Sequence, residues 1–175
     1  MKKYLLCFIF LLSVNAYADN LGGIRNSIRY KLQDSTSTTN TPTWSDTELN
    51  KRINSVQRDI SRITRCLYAQ QISTPVAEQR EYSKPTNCIA VDRVSFLQTS
   101  STTSYKKLTF ATMGGLDRDL ITWESYTSGR PLYYYERGNS IGFERPVSAV
   151  YASTSALKID YYKYPADMSS DSDNP

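Results

Sequence analysis

The chain contains no histidine. That removes the commonest general base, the commonest zinc ligand and every Ser-His-Asp or Cys-His arrangement. Glycine is scarce, with seven residues in 175, and no Gly-rich phosphate loop occurs; Gly114-Gly115 stands alone and reads as a turn. Acidic residues are scattered singly, apart from Asp117 with Asp119 and the tail set Asp167, Asp171 and Asp173. The tail set lies in a Ser/Asp-rich stretch that reads as a solvated segment rather than a metal site. Charge of one sign is also missing: 21 Lys and Arg face 17 Asp and Glu, too even a balance to argue for nucleic acid or a membrane surface. One catalytic class stays open, a glycan hydrolase whose carboxylates are brought together by folding. It ranks low. The composition points away from catalysis, and no cofactor or metal is expected.

Long hydrophobic runs are absent with one exception. Lys2 and Lys3 precede the apolar stretch Tyr4–Val14, and Ala16-Tyr17-Ala18 supplies a small-x-small cleavage pattern. This reads as a signal peptide over residues 1–18, with a mature chain that starts near Asp19 and is bound for the periplasm or the medium. The run is shorter than the ~20 residues of a membrane span. The remaining length fits one ordinary domain or two small sub-domains. Only Cys66 and Cys88 follow the leader. They are a candidate disulfide in an oxidising compartment, and equally two small, half-buried apolar residues.

What is present begins with two helices. Residues 20–34 place Leu21, Ile24, Ile28 and Leu32 on one face, with Arg25, Arg29 and Lys31 on the other sides. A Ser/Thr/Asn loop follows, ending at Pro42. Ser45 and Glu48 then form a capping box, with Trp44 and Leu49 placed as a hydrophobic staple. From there Leu49, Ile53, Val56, Ile60, Ile63 and Leu67 recur at spacings of 4, 3, 4, 3 and 4. Such a seam serves either an ordinary core or packing against a first helix and neighbouring subunits. Arg58, Arg62 and Arg65 share a stripe on the same helix, best read as a solvated face.

After about Gln71 the pattern turns to short β-branched and aromatic runs. Strands are predicted over 79–83, 89–97 and 105–112, and a short helix over 114–123. Leu132–Glu136 and Ser140–Glu144 flank Arg137-Gly138-Asn139 as a hairpin. In 157–164, Leu157, Ile159 and Tyr161 alternate with Lys158, Asp160 and Tyr162. The fold class is α+β, an N-terminal helical pair followed by a β-rich region with one short helix. Its divisions are 1–18, a helical region 19–70, a β-rich region 71–165 and a polar tail 166–175. The 14 tyrosines fit sheet packing first. Turned outward, they would suit an exported binding module for a glycan or a protein partner.

The order of motifs resembles a known family. It runs from Leu21-x-x-Ile24-Arg25-x-x-Ile28-Arg29 through Asp34, Trp44-Ser45-Asp46-x-Glu48-Leu49 and Asn54. Glu78-Gln79-Arg80-Glu81-Tyr82-Ser83, Pro85 and Val91-Asp92-Arg93-Val94 come next. Leu108, Leu116, Trp123, Gly129-x-Pro131, Tyr133–Tyr135, Ile141-x-Phe143-x-x-Pro146 and Ile159-Asp160-Tyr161-Tyr162 with Pro165 complete it. This is similar to the head–tail adaptor (connector) proteins of tailed bacteriophages. The resemblance implies a structural, non-enzymatic virion protein at the head–tail junction, forming an oligomeric ring between portal and tail, with at most passive contact with nucleic acid. It implies that Leu49, Ile53, Val56, Ile60, Ile63 and Leu67 serve subunit packing. Adaptors of this kind continue beyond the position of Pro175 into a further helix, so the polar tail reads as a truncated end.

Overall fold

The computed structural model describes residues 19–34, 42–100, 103–152 and 154–175. Asn20 opens the first helix: its side-chain oxygen accepts the Gly23 amide at 2.9 Å, starting α1 (Leu21–Leu32), and Gln33 ends it in the left-handed region at φ 55°. Leu21 is fully buried, whereas Leu32 at the far end is exposed. Arg29, expected on an outward side, is buried instead. Its guanidinium donates to Asp34 at 2.9 Å and Asp46 at 2.7 Å, tying α1 to the start of the next helix. That helix, α2 (Asp46–Thr64), opens with the capping box. The Ser45 hydroxyl accepts the Glu48 amide at 3.2 Å, and the Glu48 carboxylate accepts the Ser45 amide at 3.0 Å. Arg65 adopts φ 50° and ends α2, so Leu67, the last residue of the expected seam, lies beyond the helix.

The polar tail keeps most of its side chains in solvent, as read, but it is docked rather than loose. Met168 is buried with Leu21 and Ile53, and Ile24 and Ile28 pack on that cluster. Asn54 grips the Met168 backbone twice, donating to its carbonyl at 2.9 Å and accepting its amide at 3.0 Å. The Leu21 and Gly22 amides, unpaired within α1, donate to the carbonyls of Asp173 and Asp171 at 2.8 and 3.1 Å. A helix start in need of acceptors and one apolar side chain thus capture a stretch whose composition alone suggests solvent. The described residues up to Asn54 and Asp167–Pro175 form one compact unit, and Ser55–Ala166 a second.

The second unit is built from two four-stranded sheets. One contains β1 (Tyr68–Ser73), β3 (Cys88–Leu97), β4 (Tyr105–Lys107) and β8 (Leu157–Lys163), in the order β1-β8-β3-β4, all antiparallel. The other contains β2 (Glu81–Ser83), β5 (Thr109–Phe110), β6 (Tyr133–Arg137) and β7 (Ser140–Phe143), in the order β2-β7-β6-β5, with β5 parallel to β6. The single expected strand over 105–112 is divided at Leu108, which is buried where the chain passes from one sheet to the other. Leu157, Ile159 and Tyr161 face the core, as their alternation requires, beside Val94, Phe96, Ile141 and Phe143. The hairpin turns at Gly138, whose φ of 54° suits the first position of a two-residue loop.

The expected short helix is α3 (Met113–Asp119), capped by Thr112, followed by a 3-10 turn at Trp123–Ser125. Leu116, Trp123 and Tyr135 form a second buried cluster beside the sheet. Gly142 makes room for it: a Cβ there would lie 2.1 Å from the Tyr135 ring. The described residues form three helices and two sheets, an α+β fold.

Candidate assembly surface

The six seam residues separate into two groups. Leu49 and Ile53 are 5% and 9% exposed, and Ile53 completes the cluster with Leu21 and Met168. Val56, Ile60 and Ile63 are 57%, 53% and 74% exposed, and Leu67 is half-buried. One apolar stripe therefore serves an internal core over its first turns and leaves three large side chains in water over its last. Along the same stretch of chain Arg62 pairs with Asp59 at 3.4 Å, and the Arg65 guanidinium lies 6.0 Å from the centre of the Tyr162 ring.

Cys66 and Cys88 are not bridged. Lys163 of β8 donates its amide to Leu67 and stands opposite Cys88, so Leu67 and Cys88 flank it from either side. Cys66 is exposed, and burial pushes the half-buried Cys88 thiol up.

The buried carboxylates are both committed. Glu144 accepts the Leu132 and Tyr133 amides at 2.9 and 3.0 Å and the Arg145 guanidinium at 3.1 Å. Asp160, on the side of the strand opposite Leu157, Ile159 and Tyr161, is fully buried there. It is held there by Arg93 at 3.0 Å and Gln70 at 2.9 Å. Asp117 accepts the Trp123 indole N–H. Among the described residues, no group of three or more Cys, Asp or Glu side chains could hold a metal ion. Tyr134, Tyr135 and Tyr161 are buried in the cores and present no stacking platform. A hollow of about 410 Å³ is lined by Phe110, Ala111, Leu116, Leu120 and Tyr133, with Arg118 and Asp119 paired to each other beside it.

Strand β1 has no counterpart in the sequence reading. Its residues Tyr-Ala-Gln-Gln-Ile-Ser lack β alternation, and Tyr68 and Ile72, four apart, prolong the helical pattern. The signal that could have found it is the end of the charge pattern: no charged residue occurs between Arg65 and Glu78. The stretch 1–18, where a signal peptide is expected, lies outside the described residues, and no helix among those described is long and apolar enough to cross a membrane.

No curated protein matches the chain. One family profile, the SU10 adaptor protein, matches residues 19–175. It begins at the residue that follows the expected cleavage site and takes in both compact units. The chain therefore belongs to the SU10 adaptor protein family, a family of phage head–tail adaptors.

Proposed function

We propose that this protein assembles into a ring between the portal and the tail of a virion, with no catalytic role. A phage adaptor-type structural protein of this family interacts with other head and tail proteins. The ring, and the portal and tail as its neighbours, are the further step. The observation that carries it is the division of the α2 stripe: Val56, Ile60 and Ile63 stay in water on a helix whose earlier seam residues are buried. Apolar side chains repeated along one helix face are costly to expose unless another surface covers them. A ring needs a heterologous contact, one surface meeting a different surface of the next copy, and an exposed apolar helix stripe suits the first of these.

The burial of Tyr134, Tyr135 and Tyr161, strand tyrosines that the rival reading would turn outward, weighs against an exported module binding glycans through an aromatic face. The engagement of Glu144 and Asp160 with amides and cations speaks for structural carboxylates. Negative-stain imaging of the purified chain, alone and after addition of its cognate portal, tests the proposal. Closed rings are expected in at least the second sample. Single subunits in both, at high concentration, would refute it.

A further inference from the structure

We propose that the free edge of β1 pairs antiparallel with the same edge of a second copy, about a two-fold axis at Gln70. Lys163 donates its amide to Leu67 at 2.9 Å, and the β1–β8 register continues without a shift from Tyr68 to Ser73. In an antiparallel ladder every second residue then faces β8, namely Ala69, Gln71 and Ser73. The N–H and C=O groups of Tyr68, Gln70 and Ile72 point away from the sheet, at the edge of the four-strand order.

The other outer strands are short or guarded. β4 carries Lys106 and Lys107, β2 has three residues between Arg80 and Lys84, and β5 has two residues. β1 has six residues with no charge, proline or bulge. Its outward groups are self-complementary. With the axis at Gln70, Gln70 faces its own counterpart and Tyr68 faces Ile72 of the second copy, so each of the three pairs exchanges two backbone hydrogen bonds. Tyr68 and Ile72, 49% and 48% exposed, become an aromatic–β-branched cross-strand pair. An uncharged strand brings no like-charge repulsion to its own copy.

Tyr68 and Ile72 together expose roughly a quarter of the ~800 Å² that each partner buries in a standard interface. The strand backbone and the surrounding polar rim are available for the rest. An isologous pair closes on itself, so this contact is separate from the heterologous ring contact and covers the edge in the unassembled chain.

Register-specific crosslinking tests it, in the full chain with its native cysteines changed to serine. Hydrogen-bonded partners in an antiparallel pair have Cα atoms about 5.5 Å apart, within disulfide range. Gln70→Cys should therefore yield a disulfide-linked dimer under mild oxidation. Ile72→Cys should yield none, because its counterpart lies four residues along the strand, about 13.6 Å away. Gln70 also supports Asp160, so Ile72→Pro provides a second variant. It removes only an outward N–H, and should abolish the dimer in sedimentation while far-UV circular dichroism stays unchanged. No Gln70→Cys dimer, equal crosslinking at both positions, or a dimer that survives Ile72→Pro would each overturn the pairing. Rings that form with portal while Gln70→Cys fails to crosslink would refute the edge contact and leave the ring proposal standing. Crosslinking without rings would do the reverse.

Discussion

The two compact units are held together by different physics. In the unit of α1, the first half of α2 and the tail, three apolar side chains are buried as a cluster, and directed polar contacts do the remaining work. Arg25 reaches Asp171, Arg29 reaches Asp34 and Asp46, and Asn54 holds the Met168 backbone. In the β unit, two sheets close on a continuous core from Val94 and Phe96 to Leu157 and Ile159. A unit stitched by hydrogen bonds and ion pairs yields to pH and to single polar deletions. One built on burial yields to cavities.

The largest expected effect is therefore in the β unit. Phe96 is fully buried, edge-on to Phe143 at 6.0 Å and to Tyr151 at 5.2 Å. Phe96→Ala should cost about 3–5 kcal/mol in denaturant unfolding monitored on the β unit. In the helical unit the counterpart is Asn54→Ala, which strips Met168 of both backbone bonds. A loss of about 1–3 kcal/mol is expected, read as lost amide protection in α1 and residues 168–173. Protection in β3 and β8 should not change. Equal loss in both units would erase the contrast.

Titration sharpens the comparison with smaller effects. Asp34 is held below the usual carboxylate range by the Thr43 amide, Asp46 by the Arg29 guanidinium, Glu48 by Ser45 and Asp173 by the Ser170 and Ser169 amides. Depressed carboxylates contribute stability that is complete above their unfolded values, about 4, and is lost as pH falls through the lower folded values. The helical unit should thus loosen first below about pH 4 and be unaffected between pH 5 and 8. In the β unit, burial pushes the Tyr82 and Tyr135 hydroxyls up to about 12. Their contribution is complete below about pH 10 and is lost as pH rises towards 12. Amide exchange across pH separates the two. Acid loosening that began in β3 or β8 would contradict the assignment.

Much of this was legible in the sequence because the signals were local. The Ser45–Glu48 box, the Gly138 turn and the Leu157-Ile159-Tyr161 alternation each depend on neighbouring residues, and each appears as read. What escaped depends on distant partners. The tail composition gave no hint of Asn54, 114 positions away in the chain, and Arg29 looked solvent-facing until Asp34 and Asp46 closed around it. Strand β1 is polar because it is an edge, so it lacks the alternation that marks a half-buried strand. The seam lies on one helix from Leu49 to Ile63 and loses only Leu67 to the helix end, but spacing is blind to what covers it. Nothing in the period of 4 and 3 separates the buried Ile53 from the exposed Ile63.

That difference is the most direct test of the account. Ile63 is 74% exposed, so Ile63→Asp should shift unfolding by less than about 0.5 kcal/mol while removing an apolar group from the assembly face. Sedimentation of the variant beside the unaltered chain, each with portal, decides the matter. The account predicts rings for the unaltered chain and folded protein outside any ring for Ile63→Asp. Rings of undiminished yield from Ile63→Asp would contradict it.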